Sequence, residues 1–232
     1  MKTIGLLGGM SWESTALYYQ SINQLVKTEL GGLHSAQIAM VSVDFQGIEE
    51  LQHRGEWHEA GEVLSNAARQ IEAAGADFLL ICTNTMHKVA PQIEAAIEIP
   101  LLHIADATAD EIKKQGIKTI GLLGTNFTME QDFYAGRLAD KHGLKVLIPE
   151  KEDREIVHRV IYDELVLGEV KDESRAEYLR IMDQLQSEGA EGIIEGCTEI
   201  VMLVQQKHTA IPLFDTTAIH AQKAVEMALA KE

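Results

Sequence analysis

The chain contains few of the residues that build disulfide-rich or membrane-spanning proteins. Only two of its 232 residues are cysteine, Cys82 and Cys197. Two cysteines are too few for a disulfide-stabilised secreted fold, and their wide separation gives no CxxC spacing of the kind that binds zinc. No apolar stretch approaches the roughly 20 residues that cross a bilayer, and the N-terminal apolar run is too short for a signal peptide. These absences predict a cytoplasmic protein without a structural zinc site.

Basic residues are also scarce. The 20 lysines and arginines stand against 36 aspartates and glutamates, which gives a formal charge of −16. This charge repels phosphate backbones and anionic lipid surfaces, so we expect neither nucleic acid nor a membrane as a partner. Hydrophobic residues make up 46% of the chain, and glycine outnumbers proline 18 to 4, as in ordinary globular proteins. The length allows either one large domain or two of about 115 residues.

An internal duplication decides between one domain and two. The segment KTIGLLG begins at Lys2 and again, unchanged, at Lys118. Two shorter pairs follow in the same order and at similar offsets: AGAD (74–77) with EGAE (188–191), and IPLL (99–102) with IPLF (211–214). Three landmarks in one order predict two homologous halves.

Each half alternates short apolar runs with longer amphipathic stretches, which is typical of parallel strands joined by helices. The predicted strands are 4–7, 38–43, 78–82 and 101–104 in the first half, and 120–123, 145–148, 193–195 and 213–214 in the second. Helical periodicity covers 59–73 and 175–186. We therefore predict an α/β protein of two duplicated domains, each a parallel sheet flanked by helices, made of residues 1–98, completed by 213–232, and of residues 99–212. Ligands of such folds bind beyond the carboxyl ends of the strands, so we expect the active site in the cleft between the halves.

The duplication aligns Thr83 with Cys197, each directly after a predicted buried strand. Side chains alternate along a strand, so if Thr83 points toward a ligand, Cys82 points away from it and into the core. Cys197 precedes a polar dipeptide and a predicted helix over 200–205. The positive N-terminal end of such a helix would lower the pKa of the thiol from its usual value of about 8.5. The pattern therefore predicts a structural Cys82 and a reactive Cys197.

Two motifs at these positions resemble those of the aspartate/glutamate racemase family. ICTNTMH at 81–87 is similar to the first active-site motif of the family, ordinarily CNTxH, and GCTE at 196–199 is similar to the second. GGM at 8–10 resembles the first substrate loop, and the similarity extends over essentially the whole chain. The resemblance implies an isomerase that uses neither metal nor pyridoxal phosphate. In that family two thiols flank the α-carbon of an amino acid, where one removes the α-proton and the other protonates the opposite face; the members are commonly homodimers.

The first thiol position departs from the family pattern. Aligning Asn84 and Thr85 with the Asn-Thr of the family places Thr83 there, and the duplication offers no gap that would shift Cys82 into its place. By resemblance, Cys197 is then the thiolate base that acts on L-aspartate or L-glutamate. Thr83 would reprotonate the opposite face, directly or through water.

The resemblance also implies a set of substrate-binding residues, which are Met10, Asn84, Thr85, Thr198 and Glu199. Hydroxyl and amide side chains can hold an α-carboxylate, but they are equally favoured as helix caps. Arg54 or Lys171 could bind the distal carboxylate, and no motif chooses between them. His87 matches a family position and could instead hydrogen-bond only locally.

Two other functions fit a single reactive thiol. A malonate-type decarboxylase uses one cysteine to protonate the enediolate that loss of CO₂ leaves, and a non-catalytic protein that binds acidic amino acids could arise by loss of the first thiol. The Asn84-Thr85-x-His87 pattern favours the amino-acid branch. The N-terminal GLLGG matches neither GxGxxG nor a phosphate-binding loop with its lysine, which disfavours a nucleotide ligand.

Overall fold

The computed structural model describes residues 1–230 and contains two parallel sheets. The strands are β1 (Ile4–Gly8), β2 (Ile38–Ser42), β3 (Phe78–Ile81), β4 (Thr119–Leu123), β5 (Lys145–Leu147), β6 (Ile193–Glu195) and β7 (Leu213–Asp215). The first sheet has the order β2-β1-β3 and the second the order β5-β4-β6-β7, with every pair of neighbours parallel. The predicted α/β class with two parallel sheets is confirmed.

Helices connect the strands throughout. They are α1 (Trp12–Leu30), α2 (Phe45–Arg54), α3 (Trp57–Ala73), α4 (Ala90–Glu94), α5 (Ile104–Lys114), α6 (Asn126–Glu130), α7 (Asp132–His142), α8 (Lys151–Asp163), α9 (Asp172–Ser187), α10 (Ile200–Leu203) and α11 (Thr216–Leu229). Short 3-10 helices lie at Thr85–Val89, Leu165–Leu167 and Gln206–His208. No helix within residues 1–230 has the length and apolarity needed to cross a bilayer.

The chain divides into two compact units. The first comprises Met1–Ile104 and the residues from Thr217 onward, and the second comprises Ala105–Thr216. Helices cover both faces of the first sheet. One face packs against α1 and α11 through Ile4, Leu6, Phe78, Leu80 and Cys82. The opposite face packs against α2, α3 and α4 through Leu7, Ala39, Leu79 and Ile81. This alternation along β3 places Cys82 on the α1 and α11 side.

The repeated KTIGLLG segment has a packing reason. Its glycine is Gly5 in the first unit and Gly121 in the second, and each lies in a strand directly beneath a helix. A Cβ on Gly5 would lie 2.7 Å from Ile71 of α3, and a Cβ on Gly121 would lie 3.1 Å from Leu185 of α9. Glycine at both positions therefore lets a helix approach the central strand closely.

The crossover segments differ from the sequence-based expectation. The predicted strand at 101–104 is wrong beyond Leu101, which forms a single bridge with Leu79, because α5 already begins at Ile104. The Leu79 N–H donates to Pro100 O and Leu102 N–H donates to Leu79 O, each at 2.9 Å, so this segment joins the first sheet before the chain turns into the helix. At the return crossover, β7 pairs with β6 of the second sheet. The units thus divide near residues 104 and 217, whereas the predicted domains divide at 98/99 and 212/213.

Candidate active site

The first predicted catalytic position follows β3 in the first unit. Cys82 closes the strand, where its N–H donates to Leu7 O at 2.9 Å and its carbonyl accepts from the Ser14 hydroxyl at 3.0 Å. Its side chain is fully buried, and burial raises the pKa of the thiol far above the usual range. The prediction that the Cys82 side chain points into the core is therefore confirmed. Thr83, the next residue, is partly exposed.

The polar residues after Thr83 are largely enclosed, with Asn84 and His87 buried and Thr85 partly exposed. His87 Nδ1 lies 2.8 Å from Thr83 O, and the Ile104 N–H points to His87 Nε2 at 3.2 Å. A carbonyl oxygen only accepts and a backbone N–H only donates, so these partners assign the neutral tautomer with its proton on Nδ1. Burial and the neighbouring histidines hold the pKa of His87 well below its usual value, consistent with that neutral ring.

The loop after β1 carries the predicted substrate contact Met10. Gly9 has a φ of +93°, and its N–H donates to the Thr15 hydroxyl at 2.8 Å. A Cβ on Gly9 would collide with the backbone of Val43, so only glycine fits this turn. The Met10 side chain is 4% exposed and packs in the core on the α2, α3 and α4 face. The structure thus places that side chain in the core, and its contact with a substrate stays a prediction.

The second predicted catalytic position follows β6 in the second unit. Cys197 is partly exposed and stands at the turn that leads into α10. Glu199 Oε2 accepts hydrogen bonds from Cys197 Sγ at 2.8 Å and from the Thr198 hydroxyl at 2.7 Å. The three residues predicted from the GCTE motif are therefore joined to one another through a single carboxylate oxygen.

The predicted lowering of the Cys197 pKa is wrong. The pKa of this thiol lies well above its usual value. The first cause is the loss of water around the sulfur, although the residue as a whole keeps part of its surface exposed, and the second is that the Glu199 carboxylate opposes another negative charge. Backbone N–H groups of Thr198 and Glu199 act in the opposite direction without outweighing these effects. The helix α10 is only one turn long, Ile200–Leu203, so it contributes little dipole. The raised pKa favours the neutral thiol, which donates a hydrogen bond to the Glu199 carboxylate.

Sequence reasoning missed two polar side chains near this turn, the buried Glu195 and the partly exposed Asn126, whose Oδ1 atom is enclosed. Glu195, the last residue of β6, is buried, and burial together with the charge of its in-register neighbour Asp215 raises its pKa to about 8. Asn126 begins α6 just beyond β4, the strand beside β6. Neither Glu195 Oε1 nor Asn126 Oδ1 has a hydrogen-bond partner among residues 1–230. The available signal was the duplication, which aligns Asn126 with Met10.

Both candidate cations for a distal carboxylate have acidic partners. Arg54 pairs with Glu56 at 2.9 Å, and Lys171 lies 3.1 Å from Glu169 and 3.5 Å from Glu164. The hydrogen bond to Glu169 is the first cause of a raised pKa at Lys171. A role for either cation in substrate binding stays a prediction. In the part of the chain that the structure describes, no three His, Cys, Asp or Glu side chains are grouped to hold a metal ion.

Comparisons with known proteins show the family to which this chain is similar. The profile of the Asp/Glu/Hydantoin racemase family matches residues 7–224. A solved structure from Yersinia pestis, described as a "putative Asp/Glu Racemase", is 58% identical, with 99% of this chain and 100% of that chain covered and a TM-score of 0.95. An aspartate racemase homologue from Pyrococcus horikoshii is 34% identical, with 99% and 100% covered and a TM-score of 0.88. The broad specificity amino-acid racemase RacX of Bacillus subtilis is 23% identical over 239 residues, which is 98% of each chain.

Proposed function

Because the chain belongs to the Asp/Glu/Hydantoin racemase family, we propose that it is a cofactor-independent amino-acid racemase that acts on L-aspartate and L-glutamate. In this proposal Cys197 is the thiolate base and Thr83 serves the opposite face of the α-carbon. The observation that carries the proposal is the 2.8 Å contact of Cys197 Sγ with Glu199 Oε2, which pairs the thiol of a partly exposed residue with a proton acceptor just after a strand end.

The thiol must first lose its proton, since a neutral thiol cannot remove a Cα–H proton. In the proposed first step this proton moves from Cys197 Sγ to Glu199 Oε2, which leaves a thiolate and a carboxylic acid. The raised thiol pKa opposes that transfer in the free protein. The α-ammonium group of a bound amino acid brings a positive charge that favours the thiolate. The base therefore forms as the substrate binds.

The thiolate then takes the α-proton of the L-isomer and leaves a carbanion that needs strong stabilisation. Hydrogen-bond donors fixed around the α-carboxylate would supply it, and Asn84, Thr85 and Thr198 are the proposed donors. The Thr198 hydroxyl donates to Glu199 Oε2. Once Oε2 carries the thiol proton it accepts this bond less well, which releases the hydroxyl for the substrate carboxylate.

Protonation of the opposite face by Thr83 is the slower step. An alcohol is far less acidic than a thiol, so the Thr83 hydroxyl gives a proton to the carbanion only as it receives one from water. The α-carbon is therefore protonated faster from the Cys197 side than from the Thr83 side. Free enantiomers have equal energy, so kcat/KM for racemisation remains equal in both directions, and the asymmetry is visible in isotope exchange.

Proton NMR in D₂O tests this proposal. With L-aspartate or L-glutamate, the α-hydrogen should be replaced by deuterium faster than the D-isomer forms. Cys197→Ala should abolish both processes, whereas Cys82→Ala, which changes the buried thiol, should leave both running and serves as the matched control. Equal rates of exchange and inversion would reject the asymmetric mechanism. Binding of L-aspartate without any exchange would show a binding protein instead.

A malonate-type decarboxylase is the second candidate, and the burial of Cys82 favours it because only one thiol is then left for chemistry. Such an enzyme would release CO₂ from aryl- or alkylmalonates in a reaction that requires Cys197 and not Thr83. Release of CO₂ with no exchange of the α-hydrogen of L-aspartate or L-glutamate would favour this second function over the racemase.

A further inference from the structure

We propose that His87 is a positioning residue for Thr83, and that its Nδ1–H bond to the Thr83 carbonyl controls how often the carbanion is protonated on the Thr83 face. The inference rests on the proposed function, because it gives Thr83 a part in proton transfer. It goes further by assigning the placement of that hydroxyl to a histidine that contacts no reacting atom.

His87 joins two backbone segments of the first unit. Its Nδ1 donates to Thr83 O at 2.8 Å, at the turn that leaves β3, and its Nε2 accepts from the Ile104 N–H at 3.2 Å, at the start of α5. That N–H belongs to the first turn of the helix, where no carbonyl of the same helix can accept it. One imidazole therefore fixes the turn that carries Thr83 against the beginning of a helix.

The histidine cluster, defined here as His87, His103 and His220, holds this imidazole in place. The ring of His103 lies 4.4 Å and the ring of His220 lies 6.0 Å from the ring of His87, measured between centroids. His220 is itself held at both nitrogens, since Nε2 donates to Leu102 O and Nδ1 accepts from the Tyr18 hydroxyl, each at 2.8 Å. All three histidines are at most 3% exposed. The ring plane of His87, and with it the direction of Nδ1–H, is thereby fixed.

Holding the carbonyl of residue 83 also restrains its side chain. The carbonyl is bonded to the residue through Cα, so a fixed carbonyl limits rotation about the Cα–C bond and the displacement of Cβ and the hydroxyl. Proton transfer is sensitive to such shifts, since a displacement of about 1 Å can cost roughly a hundredfold in rate. Cys197 depends instead on Glu199, a partner in the second unit. Loss of the His87 bond should therefore slow inversion more than exchange.

The ratio of exchange rate to inversion rate separates this role from a structural one. If His87 only supported folding, its replacement would reduce the amount of active protein and lower both rates by the same factor. The ratio would then stay constant. If His87 positions Thr83, exchange at Cys197 continues while reprotonation from the Thr83 face fails, and the ratio rises.

Two substitutions test the two hydrogen bonds of His87 separately, because each variant keeps only one of them. In His87→Asn, the amide nitrogen takes the place of Nδ1 and keeps a donor for Thr83 O. In His87→Gln, the amide oxygen takes the place of Nε2 and keeps an acceptor for the Ile104 N–H. With L-glutamate in D₂O, we expect His87→Gln to raise the ratio about tenfold or more, and His87→Asn to stay within about twofold of the unchanged protein. His34→Gln, at an exposed loop position, is the control.

A ratio that His87→Gln leaves unchanged would overturn the inference, while wild-type exchange would still uphold the racemase. A wild-type protein that exchanges nothing would instead defeat the proposed function itself. Should both variants fail to fold, ¹⁵N NMR of the wild-type histidines decides. The inference requires a neutral His87 protonated at Nδ1, and a signal from an Nε2-protonated or charged ring would contradict it.

Discussion

Acidification should destabilise the protein through His220, a residue that the structure buries completely. Burial lowers the pKa of this imidazole to about 4, whereas a histidine in the unfolded chain titrates near 6.5. Between about pH 4 and 6.5, His220 is therefore mostly protonated in the unfolded chain and mostly neutral in the folded chain. The stability contributed by a neutral His220 is fully present above about pH 6.5, and it is lost as the pH falls from there toward 4.

The expected loss follows from the difference between these two pKa values. The fall from about 6.5 to about 4 corresponds to about 3 kcal/mol when the pH is well below 4, and to about 2 kcal/mol at pH 5. His87 adds to the effect in the same direction, since its pKa is also lowered. Carboxylates that titrate below pH 5 contribute as well, so the effect of His220 has to be isolated by comparing variants.

Urea unfolding at pH 7.5, 6 and 5 provides this comparison. His220→Gln should be less stable than the unchanged protein at pH 7.5, because Gln cannot keep the bonds to both Leu102 and Tyr18. It should nevertheless lose about 2 kcal/mol less between pH 7.5 and 5, since it has no imidazole to protonate. His34→Gln, which changes an exposed side chain, should follow the unchanged protein. Parallel losses in His220→Gln and the unchanged protein would refute the reasoning.

Three further changes have defined outcomes. Glu199→Gln removes both the proton acceptor and the negative charge beside Cys197. Alkylation of the thiol should then occur at lower pH, while the rate of α-proton exchange should fall at least about tenfold. An unaltered exchange rate would remove Glu199 from the mechanism. The Asp106 carboxylate accepts hydrogen bonds from Arg137, Lys141 and His142, and Asp106→Asn removes its charge. The free energy of unfolding measured in urea should fall by about 2–4 kcal/mol. A change near zero would count against a structural role for these ion pairs. Gly9→Ala should lower Tm sharply or prevent folding, because the new Cβ would collide with the backbone of Val43. Gly47 has open space around it, so Gly47→Ala should leave Tm nearly unchanged. Equal effects of the two substitutions would contradict the tight turn at Gly9.

The sheets could be predicted from the sequence because their signals are local. Each strand is a short, mostly apolar run, and the duplication shows which runs correspond. The same local rule, alternation along β3, was enough to assign Cys82 to the core and leave Thr83 at the strand end. The repeat shows that Gly5 and Gly121 correspond. The reason for glycine at these positions, the close approach of α3 to Gly5 and of α9 to Gly121, is visible only in the packed structure.

The chemistry of the candidate site depended on features that sequence does not carry. The direction of the Cys197 pKa shift is set by where the Glu199 carboxylate points, which is a matter of side-chain conformation. The histidine cluster joins residues 87, 103 and 220, which share no motif and meet only after the chain has left the first unit and returned. Leu102 and Ile104 are apolar, so the local pattern predicts a strand there, but α5 begins at Ile104. The hydrogen bond from the Ile104 N–H to His87 joins residues far apart in sequence, which the local pattern does not show.

The route of the chain also affects how a nascent polypeptide can fold. The second unit is one continuous stretch, so every residue it needs is translated before most of α11. The first unit is translated earlier but stays incomplete, because Ala221, Ala224, Val225 and Ala228 of α11 cover the face of its sheet that contains Phe78 and Leu80. During synthesis this apolar face is open to chaperones or to other nascent chains until the last helix emerges. The half of the molecule that is made first is therefore the last to become protected.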